Sequence, residues 1–154
     1  MVKVILVKGN SILSRIVQGI TASPFSHCAF LLEGQTYEAD IGGVYIRNIK
    51  DYPWEYEVFE IRSTTEDQVK ALRSWCQRHV TKRYNYLKII GLWLDIAFHY
   101  SYIKSISSSK TAFICSEFVY EGLSHIGIDL PEIDEFSFPS EFALTKPLTW
   151  SPKN

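Results

Sequence analysis

The stretch from Ser23 to Asp40, SPFSHCAFLLEGQTYEAD, carries the outline of a β-hairpin. His27 to Leu32 is an apolar, β-favouring run, Glu33-Gly34-Gln35 is a tight turn, and Thr36 to Asp40 is the returning strand. Successive side chains of a strand point to opposite faces, so His27 and Cys28 cannot both line one cleft. Their adjacency imitates a thiol–imidazole pair without being one, and Cys28 is expected to be a small buried core residue. Across a two-residue loop, positions whose numbers sum to an odd value share a face, which puts Glu38 and Asp40 on the side of His27. Asp40 can lie directly opposite the histidine and Glu38 on its diagonal. A carboxylate beside an imidazole fixes its tautomer and favours the protonated ring.

Working outward, Lys3 to Val7 predicts a first strand and Gly9-Asn10-Ser11 breaks it. Ser11 caps a helix to about Gly19, with Ile12, Leu13, Ile16, Val17 and Ile20 on one apolar stripe. Beyond the hairpin, Gly42-Gly43 punctuates and Val44 to Ile49 and Tyr56 to Ile61 are extended. Thr64-Thr65-Glu66-Asp67 supplies caps and early acids for a helix to about Val80, whose inward stripe is Val69, Leu72, Cys76 and Val80. A further helix is expected over Leu87 to Phe98, a loop over Ser101 to Lys110, and a helix from about Cys115 to Ile126. That helix turns Phe118, Val119, Gly122, Leu123 and Ile126 inward and ends at Gly127. Pro139-Ser140 leads into a short helix. The pattern predicts a single α+β domain spanning 1–154, with helices packed on a mostly antiparallel sheet.

Bulk properties narrow the function. A net charge of −1 with scattered Lys and Arg gives no basic face for nucleic acid. The N-terminal sequence lacks the features of a signal peptide. The longest apolar stretch, Ile89 to Phe98, contains Asp95 and lies between Lys88 and His99, too short and polar for a transmembrane segment. Three cysteines without a CxxC motif imply free thiols and a cytoplasmic, reducing setting.

Of the three cysteines, Cys76 falls on the inward stripe of its helix. Cys115 falls where a short apolar segment, Thr111 to Ile114, meets the first turn of a helix. Unpaired N–H groups and the positive end of the helix dipole there stabilise a thiolate, and a nearby imidazolium completes an activated pair. Rival chemistries lack their signatures. No HxH, HExxH or CxxC arrangement provides metal ligands, and His79, His99 and His125 stand alone, so neither a metal nor another cofactor is expected. Ser116 follows Cys115, but there is no GxSxG elbow, and no Gly-rich phosphate loop occurs.

The ordered motifs SILSRI (Ser11–Ile16), TASPFSH (Thr21–His27), YEA (Tyr37–Ala39), GGV (Gly42–Val44) and ICSEFVY (Ile114–Tyr120) resemble those of the circularly permuted papain-like proteins of the NlpC superfamily. The nearest branch in pattern is the YiiX/YaeF-like permuted amidases, with the lecithin:retinol acyltransferase group more distant. Arg83-Tyr84-Asn85-Tyr86 is similar to the tyrosine motif of the family and Phe138-Pro139-Ser140-Glu141-Phe142 to its C-terminal Pro-Ser-acid stretch. The resemblance spans about residues 10–145. It implies a permuted papain-like fold, with the nucleophile Cys115 at a helix N-terminus, His27 as general base and acid, and Glu38 orienting His27. It also implies that Tyr84 and Ser116 lie near the site; these two, and Asp40 from the hairpin face, are the candidate substrate-binding residues. Cys28 departs from the pattern, because an aliphatic residue is usual after the histidine; the 101–110 insertion also departs from it.

The expected function is cysteine hydrolysis of an amide or ester, lipidic or peptidic, through a thioester on Cys115. Two alternatives are an acyltransferase with a lipid or amine acceptor and a non-catalytic binding domain on the same fold. Ile89, Ile90, Leu92, Trp93, Leu94 and Phe98 are candidates for an acyl cleft.

Overall fold

Val4, Ile5, Leu6 and Val7 are all buried, so the first strand β1 (Lys3–Lys8) is covered on both faces and sits inside the sheet rather than at its edge. In the computed structural model of the chain, residues 1–40, 42–80, 83–84, 112–130, 133, 137–145 and 148–151 are described. β1 pairs antiparallel with β2 (His27–Leu32) and with β5 (Glu55–Ile61). β3 (Gln35–Asp40) and β4 (Gly43–Asn48) extend the sheet beyond β2, and β8 (Leu148–Ser151) closes it beyond β5. The order is β4-β3-β2-β1-β5-β8, antiparallel throughout. A separate parallel pair joins β6 (Arg83–Tyr84) to β7 (Ala112–Phe113), with Tyr84 level with Phe113.

The β2–β3 turn has positive φ at Glu33 (49°) and Gly34 (80°), the mirror-type turn whose twist matches the flanking strands. It fixes the register at Leu32↔Gln35, Leu31↔Thr36 and Phe30↔Tyr37.

Alternate residues divide the sheet into two faces. Val4, Leu6, Cys28, Phe30, Leu32, Tyr37, Ala39, Phe59 and Ile61 belong to the main core with α2 (Glu66–His79) and α3 (Cys115–His125). Ile5, Val7, Ala29 and Val58 belong to a smaller cluster on the other side, rimmed by Tyr52, Trp54 and Tyr56. α2 starts from Thr65 in a full capping box with Gln68 and buries Val69, Leu72, Trp75 and Cys76. Trp75 packs on Phe118 of α3 at a ring-centroid distance of 5.0 Å. α3 ends as expected, with Gly127 at φ 74° and the Ile128 N–H bonded to the Leu123 carbonyl. A short helix α4 (Pro139–Phe142) follows, with Pro139 in its first turn.

The structure differs from the sequence reading at three points. Val80 is not on the inward stripe of α2: it is the C-cap, its N–H turns back to the Gln77 carbonyl, and it is 37% exposed while Trp75 fills the core. α1 (Ile12–Thr21) does not bury its whole apolar stripe, since Ile12 is 82% exposed. Polar ties hold α1 instead, because the Gln18 side-chain amide donates to the carbonyls of both Gly9 and Pro24. The strand β8 and the β6–β7 pair were not anticipated. The helix expected over 87–98, with its candidate acyl cleft, and the loop expected over 101–110 lie outside the described residues.

Candidate active site

β2 carries His27 and α3 carries Cys115. Cys115 is the first residue of α3, after the extended Ile114, and is 8% exposed. The first helical bond runs from the Phe118 N–H to the Ile114 carbonyl. The N–H groups before Phe118 therefore have no acceptor within the helix and face the site with the positive end of the dipole. Glu117, buried in the first turn, accepts the Ile114 N–H at 3.3 Å and ties down the approach to Cys115.

His27 opens β2, level with Val7 of β1. The β2–β3 ladder runs only as far as Phe30↔Tyr37; past it β3 stays with β4 to Asp40↔Gly43, while β2 stays with β1 to His27. The two strands part there, so His27 and Asp40 are not cross-strand partners among the described residues. Of the two acids on the His27 side, Glu38 is the one that reaches the ring: its Oε2 lies 3.0 Å from His27 Nε2. Asp40 is instead 3.9 Å from the Arg47 guanidinium.

Glu38 is wholly buried, and both its oxygens are engaged. Tyr52 OH donates to Oε2 at 2.8 Å and Arg47 Nε donates to Oε1 at 2.7 Å. Arg47 reaches Glu38 because it lies two residues along β4 from Tyr45, the cross-strand partner of Glu38. Its guanidinium lies over the Tyr45 ring at 5.0 Å. Tyr52 is returned to the sheet by the 3₁₀ turn Ile49–Asp51, which Asn48 caps by accepting the Lys50 N–H. Edge-on contacts with Trp54 and Tyr56, at 5.4 and 5.6 Å between ring centroids, hold the Tyr52 ring.

These contacts set the protonation states. Burial alone would raise the Glu38 pKa, but hydrogen bonds from His27, Tyr52 and Arg47 and the His27 charge outweigh it and bring it below the usual carboxylate value. Burial likewise opposes a charged His27; attraction to and hydrogen bonding with the Cys115 sulfur, then Glu38, lift its pKa well above that of ordinary histidine. For Cys115, a hydrogen bond from the Cys28 thiol comes first, and the His27 charge, the His27 hydrogen bond and the Cys28 backbone N–H add to it. Together they overcome burial and bring the thiol pKa well below its ordinary value. Cys28 moves the opposite way, raised by burial and by the neighbouring Cys115 sulfur. The favoured arrangement is a Cys115 thiolate, a neutral Cys28 thiol, an imidazolium and an ionised Glu38. With Nε2 engaged by Glu38, Nδ1 is the ring nitrogen left for another partner.

Cys115, His27 and Glu38 thus come together as the sequence anticipated. Ser116 is buried in the first turn of α3. The backbone of Tyr84 lies beside Phe113, two residues before Cys115. Cys28 is buried on the core face as expected, in the same cluster as Cys115, and its influence on the Cys115 pKa is one that strand alternation did not suggest. Tyr52 and Arg47 were also missed. Arg47 is level with Thr36 and reaches Glu38 only on the diagonal, and Tyr52 depends on a turn, so neither carried a clear signal in the sequence.

No family model matches the chain, and none of the curated proteins searched matches it either. Among solved structures it is similar to the crystal structure of the metalloprotein YiiX from Escherichia coli O157:H7. The TM-score is 0.72 at 18% identity over 99% of this chain and 96% of that one, a likeness of fold.

Proposed function

We propose that the chain is a circularly permuted papain-like cysteine hydrolase that cleaves an amide or ester through a thioester on Cys115. The observation carrying this reading is the 3.0 Å hydrogen bond of His27 to a fully buried, triply hydrogen-bonded Glu38, with Cys115, whose thiol the His27 charge helps hold well below its ordinary pKa, at the start of α3. The order of the histidine strand before the cysteine helix, the likeness to YiiX and the spaced motifs support it.

The Cys115 thiolate attacks the substrate carbonyl carbon, and the negative charge moves to the oxygen, within reach of the N–H groups of the first turn of α3. His27 gives its Nδ1 proton to the leaving amine or alcohol as the C–N or C–O bond breaks, leaving an acyl thioester. Neutral His27 then takes a proton from water, whose oxygen displaces the thiolate and releases the acid. A lipid or amine acceptor in place of water makes the same intermediate an acyltransferase. Glu38 keeps Nε2 protonated and Nδ1 towards sulfur in both half-reactions.

YiiX is described as a metalloprotein. Among the described residues no three His, Cys, Asp or Glu side chains are grouped to hold a metal ion, so no step here uses one. No helix among the described residues is long and apolar enough to cross a membrane. A reducing, cytoplasmic setting suits a reading in which all three cysteines are free.

Intact-mass and peptide mass spectrometry after exposure to a panel of activated esters and amides tests the proposal. The expected result is an acyl mass on Cys115 that decays in water and is absent from Cys115→Ser. Acylation at Cys28 or Cys76, or none on a chain that binds the panel without reaction, overturns it; the latter fits the binding-domain alternative.

A further inference from the structure

Glu38 carries one negative charge, and His27 is not alone in drawing on it. His27 Nε2 lies 3.0 Å from Oε2, and Arg47 Nε lies 2.7 Å from Oε1. Tyr52 OH donates at 2.8 Å to Oε2, the same oxygen that holds the imidazole. Three elements supply these groups: β2 carries His27, β4 carries Arg47, and Tyr52 follows the 3₁₀ turn after β4. The Arg47 guanidinium is held in place over the Tyr45 ring, 3.9 Å from the carboxylate of Asp40, the other acid on this face. Burial, then the Glu38 charge, push the pKa of the Tyr52 phenol up, so it stays a donor throughout the neutral range.

The hydrolysis above makes two opposite demands on His27. The ring must give a proton to the leaving group and then stay neutral until it can take one from water. A buried carboxylate with the imidazole as its one donor would keep that ring protonated. We infer that Arg47 and Tyr52 are positioning residues that share the Glu38 charge with His27 and so lower the proton affinity of the ring in the acyl-enzyme. The inference takes its purpose from the hydrolase reading, while the contacts it uses stand without it.

Acylation changes the charge balance around the ring. In the free protein, burial opposes a charge on His27, while Cys115 on α3 and then Glu38 on β3 favour it. A thioester sulfur is uncharged, so Glu38 is then left to attract both His27 and Arg47. Arginine does not lose its proton, and its bond to Oε1 is charge-assisted. With Arg47 matching the Glu38 charge, a proton on the largely buried ring adds a charge with no counter-ion, and the neutral ring is favoured. Tyr52 acts in the same sense by occupying part of the acceptor capacity of Oε2. Glu38 therefore orients Nε2 without fixing the ring in its charged form.

Titration of the His27 Hε1–Cε1 signal by nuclear magnetic resonance tests this. Cys115→Ala serves as the background, because its residue 115 is uncharged as in the thioester. Arg47→Gln is expected to raise the His27 midpoint by on the order of one pH unit. Tyr52→Phe is expected to raise it by less. The rise from Arg47→Gln should shrink when Glu38 is also replaced by Gln, since Arg47 acts through that carboxylate. Arg73→Gln, which removes a cation paired with Glu33 at the hairpin turn, should leave the midpoint unchanged. A midpoint that stays or falls in either folded variant, or a rise from Arg47→Gln that is as large with Glu38→Gln, overturns the inference. If Arg47→Gln does not fold, Tyr52→Phe decides. The titration needs neither substrate nor thiolate, so its failure leaves the acyl-adduct test of the hydrolase intact, and a missing adduct leaves the titration to be read by itself.

Discussion

Glu38 is a full charge in a position with no exposed surface, and it is tolerable there only because three donors surround it. Tyr52 is the donor whose loss is easiest to isolate, because Phe keeps the ring and its contacts with Trp54 and Tyr56. A hydrogen bond to a charged, buried acceptor is worth about 1.5–3 kcal/mol, so Tyr52→Phe should lower stability by about that amount in urea unfolding. Because the folded pKa of Glu38 is lowered, its charge stabilises the fold above its unfolded-state pKa, and that contribution is lost as pH falls through the folded value. Removing Tyr52 OH raises the folded value, so the variant should unfold at less acidic pH than wild type when followed by tryptophan fluorescence. An unchanged acid midpoint would mean that Tyr52 does not hold the carboxylate. At this scale the sequence disclosed His27 and the two candidate acids, because strand alternation depends on numbering alone. Choosing Glu38 over Asp40 required the parting of β2 from β3, a tertiary feature set by each strand's other neighbour.

At the level of elements, the distance between α3 and β2 sets the meeting of Cys115 with His27 and Cys28. Gly122 is the contact that allows this approach: a Cβ there would lie 2.6 Å from Phe30 Cε2 and 3.1 Å from Leu72 Cδ1. Gly122→Ala therefore forces the helix away from the sheet or the Phe30 ring out of place. It should cost about 1–3 kcal/mol in spite of the better helix propensity of alanine. Slower alkylation of Cys115 should accompany the loss, since the displaced helix carries that thiol. An alanine variant as stable and reactive as wild type would show that this packing does not govern the site. α2 and α3 were legible because their caps and stripes are local signals, as at Thr65, Gly127 and the buried stripe of Phe118, Val119, Gly122, Leu123 and Ile126. β8 was not, since its four residues become a strand only through β5. The apolar stripe of α1 misled for a related reason, because periodicity reports what a helix can bury and not what covers it.

For the whole molecule, the sheet brings residues 27 and 38 together near its β3–β4 edge, and α3 on the core face brings Cys115 within the influence of His27. The groups to which the proposed hydrolysis assigns attack, proton transfer and orientation thus come from three elements separated in sequence, and one pH-dependent quantity reports whether they act as a unit. With the Cys115 pKa lowered and the His27 pKa raised, the thiolate–imidazolium pair should exist from below the ordinary thiol value to above the ordinary histidine value. The rate of iodoacetamide alkylation at Cys115, located by peptide mapping across pH, measures that pair directly. The predicted result is fast labelling that persists well below pH ~8, is confined to Cys115, and shifts towards ordinary thiol behaviour in His27→Ala. Labelling of Cys115 that falls away below pH ~8 as for an ordinary thiol, or acid-range labelling at Cys28 instead, would contradict it.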